Sequence, residues 1–376
     1  MKITLAFDSF KGSLSSSQVA DAFEEGIHSY IPHCEICKVA IADGGEGTTE
    51  ALVEALNGEY IDVMVSDPLG RPITARYGII EHGKTAVMEM AKASGLPLLT
   101  PSEHNPLKTS TYGTGQMILH ALERGCRNFL IGIGGSATND GGMGMLSALG
   151  YHFLDKQGNI LPGTGEMLSL VASIDDTHVH PALCKCHIKV ACDVTNPLYG
   201  EQGAAYIFAP QKGADAQMVE LLDNGLRNYA QVIEEYNGNN IATLPGAGAA
   251  GGLGGGFKAL LEAQLVPGIE MVLDAMAFDD LIAGSTLIVT GEGCIDYQTV
   301  MGKAPSGVLR AAQQHNIPVV AIGGRVAWCD ALRNSGFAAI LHIAPDNLPL
   351  EEAMKREVAY ENVRQTAMRV AQMFNL

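Results

Sequence analysis

Two short loops place acids and a lysine directly after apolar runs. Asp8-Ser-Phe-Lys11-Gly-Ser13 follows Lys2 to Phe7, and Asp43-Gly-Gly-Glu46-Gly-Thr48 follows Lys38 to Ala42. If both runs are strands of one parallel sheet, the loops emerge at the same edge, where such sheets bind ligands. Lys11 beside Ser9, Ser13 and Asp8 then suits capture of a small anion. Further along, Cys192-Asp193-Val-Thr-Asn-Pro197 puts a carboxylate after another apolar run, and Phe208-Ala-Pro-Gln-Lys212-Gly-Ala214 puts a cation in a turn. Thr290-Gly-Glu292-Gly-Cys-Ile-Asp296 and Gly302-Lys303-Ala-Pro305 add two acids and a lysine ahead of a helix opened by proline. Taken singly, each loop is an ordinary turn or helix cap. Together, carboxylates, lysines and glycine loops are the inventory for Mg²⁺-assisted phosphoryl transfer.

The loop Gly132-Ile-Gly-Gly-Ser-Ala-Thr-Asn-Asp-Gly-Gly-Met-Gly144 lies between a strand pattern and a helix pattern. Backbone amides and a helix N-terminus in that setting can cradle phosphate. It also fits G-x-G-x-x-A, with Asp155 near the position of a dinucleotide-binding acid, which keeps an NAD(P)-dependent oxidoreductase acting on a small hydroxy acid as the alternative. Asp155-Lys-Gln-Gly158, however, reads as a hairpin turn between Tyr151–Leu154 and Asn159–Leu161. No Gly-Lys-Ser/Thr follows the glycines, so the loop is not a P-loop, and a close-packing turn without ligand is the bland reading. No Gly-x-Ser-x-Gly elbow supports a hydrolase.

The eleven histidines are scattered without H-x-x-x-H spacing, so a histidine-built metal site is not expected. Cys34 and Cys37 could in principle complete a zinc site with Cys184, Cys186 and His187, but both stretches alternate as strands do and read as buried free thiols. Trp328 and the Met-rich helices read as core.

The elements that must position these loops form a repeating unit of apolar run, polar glycine loop and helix. Ser15-Ser-Ser-Gln18 is a capping-box pattern opening a helix whose Val19, Phe23 and Ile27 share a face. Apolar runs at Asn128–Ile133, Lys189–Cys192, Thr286–Val289 and Val319–Ile322 alternate with helical stretches, the signature of parallel sheets covered on both faces. The connector Ser66-Asp-Pro-Leu-Gly-Arg-Pro72 precedes two strands within Ile73 to Met90 and reads as a domain break. Ala283-Gly-Ser285 is a second candidate break. The expectation is an α/β protein with residues 68–289 inserted into a discontinuous domain formed by 1–67 and 290–376.

Composition fits that class. The chain has 376 residues, enough for two domains, and 47% of them are hydrophobic against 17% charged, so a large core can be buried. With 24 Lys and Arg against 41 Asp and Glu the formal net charge is −17, and no basic cluster stands out, which argues against nucleic acid and acidic lipid as partners. No apolar run reaches membrane length, and eight cysteines without an export signal suit a cytoplasmic protein.

Eight motifs in order carry a resemblance. Asp8-Ser-Phe-Lys-Gly-Ser-Leu-Ser15, Ala42-Asp-Gly-Gly-Glu-Gly-Thr48, Gly132 to Gly142, Cys192-Asp-Val-Thr-Asn-Pro-Leu198, Pro210-Gln-Lys-Gly213, Pro245 to Gly252, Gly291-Glu-Gly-Cys-Ile-Asp296 and Gly302-Lys-Ala-Pro305 together resemble the bacterial type I glycerate kinases. The resemblance spans the chain. It implies ATP-dependent phosphorylation of D-glycerate with Mg²⁺, 2-phosphoglycerate being the favoured product, and two α/β domains, one inserted in the other, with the active site between them. On that footing Asp193 is the expected base and Asp43 the next candidate. Lys11 would hold the glycerate carboxylate or the moving phosphoryl group, with Asp8, Ser9 and Lys303 also at the substrate. Gly134, Gly135, Ser136, Thr138 and Asn139 would bind the triphosphate, and Asp296 and Glu292 the metal. A non-catalytic anion-binding protein is the third reading.

Overall fold

In a computed structural model describing residues 1–345 and 347–375, the chain divides into two compact units: Met1–Asp43 together with the chain from Val272 onward, and Gly44–Met271. The first is built on a five-stranded sheet in the order Ala339–His342, Val319–Val326, Leu287–Ile295, Lys2–Phe7, Glu35–Ala40, and every pairing is parallel. Its inner strands Lys2–Phe7, Leu287–Ile295 and Val319–Val326 are largely apolar and buried, as covered parallel strands are, whereas the edge strand Glu35–Ala40 exposes Glu35 and Lys38. Ile3, Leu5 and Phe7 are buried in one cluster with Val19, Phe23 and Ile27 of helix Ser16–Tyr30 and Val363, Ala367 and Val370 of helix Arg356–Met373. The expected capping box closes the start of the first helix, Ser15 accepting the Gln18 amide and Gln18 the Ser15 amide. The two helices meet at Gly26, where an added Cβ would lie 2.2 Å from the Arg364 carbonyl oxygen.

The second unit carries a six-stranded sheet, Gln264–Val266, His187–Ala191, Asn128–Gly132, Thr85–Glu89, Pro72–Ile80, Glu59–Ser66. The first four strands are parallel and the last two antiparallel. A separate antiparallel pair joins His152–Leu154 to Ser173–Asp175. The core is continuous from the sheet through Met117, Phe129 and Ile131 to Leu226, Tyr229 and Phe257.

Both expected domain breaks are displaced, for a reason the pairings make plain. The connector Ser66 to Pro72 is the turn of a hairpin: Ser66 pairs with Pro72, and Asp67 Oδ1 accepts the Leu69 and Arg71 amides. Glu59–Ser66 therefore belongs to the second sheet, and the division falls after Asp43 instead of after residue 67. At the far end Leu287–Ile295 lies between Lys2–Phe7 and Val319–Val326, so the whole strand belongs to the first unit, which begins again at Val272 and not near 289. Trp328, expected in the core, is 54% exposed on the segment following Val319–Val326.

The glycine run Gly246 to Gly256 is not an open loop. It kinks through left-handed backbone at Ala250, Gly251 and Gly252 before continuing as helix to Leu261, and it packs backbone to backbone against the Gly132–Gly144 loop. Gly251, at φ +71°, would place a Cβ 2.0 Å from the Thr138 carbonyl oxygen, and its own carbonyl accepts the Gly141 amide at 3.0 Å. Only glycine permits that approach. Among the described residues no helix is long and apolar enough to cross a membrane.

Candidate active site

In the first unit the strand ends converge. Phe7 pairs with Gly291 and Ala40, and Gly291 pairs with Ile322, so Asp8, Asp43, Glu292 and Arg325 follow at or beyond the same edge of the sheet. There they line a cavity of about 340 Å³ together with Ser9, Lys11, Ser13 and Lys303. Its other wall is apolar, from Phe10, Ile343, Leu350 and Met354. One side of the cavity thus offers carboxylates and cations, the other a dry surface.

The acids are crowded and sunk. Asp8 is 8% exposed and its Oδ1 accepts the Ser9 amide at 2.6 Å. Burial, with the Asp43 carboxylate beside it, pushes Asp8 up to about 6, against the pull of the Ser9 amide and Lys11. Glu292 is 8% exposed; its Oε1 accepts the Thr299 hydroxyl at 2.6 Å, and Lys303 Nζ lies 3.8 Å from Oε2. Burial pushes Glu292 up to about 7, with Thr299 and Lys303 opposing and the Asp8 and Asp296 charges adding. Lys303 precedes helix Ala304–Gln314, whose second residue is the expected proline.

Of the residues singled out in the sequence, Asp8, Ser9, Lys11, Asp43, Glu292 and Lys303 share this cavity. Asp296 is not among its lining residues: its Oδ1 accepts the Gln298 amide and its own amide donates to Thr299 Oγ1, which in turn holds Glu292. Two further groups take part. Arg325 sits at the end of Val319–Val326, in register with Cys294, and its place just past the apolar run Val319–Ile322 is a strand-end signal of the same kind as those at Asp8 and Asp43. Thr299 is seven residues from Glu292, and only the fold makes them partners.

The remaining candidates belong to the second unit. Asp193 is exposed after His187–Ala191, and its Oδ1 accepts the Gly268 amide at 2.9 Å. In the glycine loop Gly134 and Gly135 are exposed, but Ser136, Thr138 and Asn139 are buried. Lys212, 2% exposed, donates to Ser136 Oγ at 2.7 Å and to the Thr138 carbonyl at 2.6 Å. The expected helix N-terminal cradle is already filled: helix Met143–Ala148 is short, and Asp140 takes the Gly142 and Gly144 amides, both at 3.2 Å. Asp140 also accepts the Thr111 amide and hydroxyl at 2.7 Å, so this buried carboxylate is fully engaged. Asp155 sits in the expected hairpin turn, accepting the Gln157 and Asn159 amides. All eight cysteines are free thiols.

Comparison with known proteins decides between the readings. The profile of the glycerate kinase family matches residues 3–375. The chain belongs to the glycerate kinase family. Among relatives, a glycerate kinase of Bacillus cereus is 45% identical over 377 aligned residues, covering 100% of this chain and 98% of its own. A glycerate 2-kinase of Escherichia coli is 44% identical, covering 99% of this chain and 97% of its own. A crystal structure from Salmonella typhimurium LT2, provisionally assigned as a glycerate kinase 2, superposes with a TM-score of 0.91 at 45% identity, covering 100% of this chain and 98% of that one. The α/β fold with mainly parallel sheets is therefore the fold of this family. The oxidoreductase alternative falls: the family is one of kinases, and the acid that completed the dinucleotide pattern is a turn residue.

Proposed function

We propose that the chain transfers the terminal phosphoryl group of ATP to the 2-hydroxyl of D-glycerate, and that the cavity of the first unit is where the acceptor is held and activated. The observation that carries this is the meeting of Asp8, Asp43 and Glu292 with Lys11, Lys303 and Arg325 in one cavity with an apolar wall. The cavity exceeds what a three-carbon acid fills, leaving room for phosphate oxygens. Phosphoryl transfer needs positioning and charge neutralisation more than covalent help, and this cavity supplies both.

Lys11 and Arg325 are assigned to the glycerate carboxylate and Lys303 to the transferring group. Asp8 is assigned as the base that takes the proton of the attacking hydroxyl. It is buried at the strand end with Ser9 on one oxygen, whereas Glu292 is already held by Thr299 and Lys303. The donor set of carboxylate oxygens fits Mg²⁺, a hard cation, and Asp43 and Glu292 are the residues that would hold it. Bound there, Mg²⁺ would neutralise phosphate charge. Asp296 is assigned to holding Thr299 on Glu292. In the second unit the exposed Gly134–Gly135 segment is the part of the loop proposed to face the triphosphate, with Lys212 bracing Ser136 and Thr138 from behind. Asp193 is assigned to fixing the Gly268 amide. The 2-hydroxyl is preferred because the Escherichia coli relative is named for that position.

ADP release coupled to D-glycerate, with phosphorus NMR of the product, tests the reading. A 2-phosphoglycerate resonance is expected. No D-glycerate-dependent ADP release would overturn it, and a 3-phosphoglycerate product would overturn the choice of hydroxyl.

A further inference from the structure

In the second unit strand pairing brings His152 to Asp175 and His178, setting three side chains of metal-ligating type together. His152 and Asp175 are directly opposed in the antiparallel pair, with His152 Nδ1 3.7 Å from Asp175 Oδ2. His178 arrives from the loop just beyond, its ring centroid 4.9 Å from that of His152. One ligand atom from each of the three lies within 4.8 Å of the other two.

The backbone holds this arrangement. Gly150 has φ +103°, and a Cβ there would lie 2.1 Å from the His178 carbonyl oxygen, so glycine is what lets the loop settle onto the segment leading to His152. The His180 amide donates to the Leu149 carbonyl and the Val179 amide to the Asp176 carbonyl, both at 3.0 Å. Asp175 Oδ1 accepts the Thr177 amide at 3.0 Å, which turns Oδ2 toward His152. The neighbouring Asp176 is engaged elsewhere, accepting the Tyr236 hydroxyl at 2.7 Å.

We propose that His152, Asp175 and His178 form a binding site for a divalent first-row transition ion of the Zn²⁺ type. Two imidazoles and one carboxylate select such ions, whereas Mg²⁺ and Ca²⁺ want oxygen ligands. The site is thus chemically distinct from the carboxylate cavity of the first unit. Metal bonds of about 2.0–2.2 Å at tetrahedral angles put ligand atoms roughly 3.4 Å apart. The His152–Asp175 pair at 3.7 Å is already close to that, and the remaining separations, all within 4.8 Å, can close by rotation of partly exposed side chains. Three protein ligands leave a fourth position for water. A bound ion would cross-link two three-residue strands and the loop after them, and binding to the folded form alone would stabilise it.

The test uses the full chain after chelator treatment, titrated with Zn²⁺ against a chromophoric competitor. One site with a Kd of about 10 µM or tighter is expected. His152→Ala, His178→Ala and Asp175→Asn should each weaken it at least about tenfold, with circular dichroism and kcat for D-glycerate unchanged. A Cys184→Ser/Cys186→Ser variant should bind as the wild type does. Failure of the wild type to bind at that level, a loss smaller than tenfold in either histidine variant, or a loss in the cysteine variant would overturn the proposal. The wild type alone gives a second readout: its Co²⁺ complex should lack the near-ultraviolet thiolate-to-metal band, and the presence of that band would overturn it.

Discussion

Asp8, the first residue beyond Lys2–Phe7, lies beside Glu292 within the neighbouring parallel strand Leu287–Ile295: Phe7 is in register with Gly291, and the Asp8 amide donates to the Gly291 carbonyl at 3.0 Å. Each is 8% exposed; burial raises both, with the Asp43 charge adding at Asp8 and the Asp8 and Asp296 charges adding at Glu292. Burying several carboxylates this closely is costly unless cations accompany them. Lys11, Lys303 and Arg325 line the same cavity, and an anionic substrate adds the reason for them.

Lys11→Ala should raise the KM for D-glycerate about 10- to 100-fold, the worth of a hydrogen bond to a charged group. Wild-type enzyme should turn over glycerol far more slowly than D-glycerate, because glycerol offers no carboxylate to these cations. Steady-state kinetics with both acceptors checks this. An unchanged KM in the variant would remove Lys11 from substrate binding.

Burial pushes the Lys212 ammonium down to about 7, with the Asp140 charge opposing. Between that value and roughly 10.5, the ordinary lysine value, the unfolded chain holds a proton that the folded chain has released, so this group makes stability rise with pH across the window. Lys212→Met removes the group. The difference in urea midpoint between wild type and variant should therefore shift in favour of the wild type from about pH 7 to about pH 10. Parallel midpoints across that range would show that Lys212 keeps its proton.

Gly26→Ala sets helix propensity against sterics. Alanine is favoured over glycine in a helix by about 1 kcal/mol. The new Cβ would meet the Arg364 carbonyl at 2.2 Å and Ala367 Cβ at 2.6 Å, and backbone cannot yield cheaply. Overpacking of about 1–3 kcal/mol should win. Lower stability with unchanged kcat per folded molecule is expected, and a stabilised variant would contradict the helix contact.

What was legible in the sequence was local. The capping box at Ser15, the first strand ending at Phe7, and the hairpin turn at Asp155 follow from short-range rules that tertiary contacts did not override, while the second strand, expected to run to Ala42, ends at Ala40. The domain breaks were not legible, because Pro and Gly mark a hairpin turn at Ser66 to Pro72 as readily as a linker. Nor was the interior of the Gly132 loop: its hydroxyl and amide residues look exposed in one dimension, yet Lys212, Asp140 and the glycines after Gly246 bury them. The approach of His152 to Asp175 and His178 depends on strand register, which spacing along the chain does not encode.

The proposed proton acceptor is Asp8 in the first-unit cavity, and not Asp193. Pre-steady-state and steady-state kcat of Asp8→Asn and Asp193→Asn, each corrected for folded fraction, address it directly. Asparagine keeps shape and hydrogen bonding but cannot accept the proton. Asp8→Asn should lose about 10²- to 10⁴-fold in kcat, while Asp193→Asn keeps more than about a tenth of wild-type kcat. The reverse order, with folded Asp8→Asn near wild type and Asp193→Asn inactive, would return the role to Asp193.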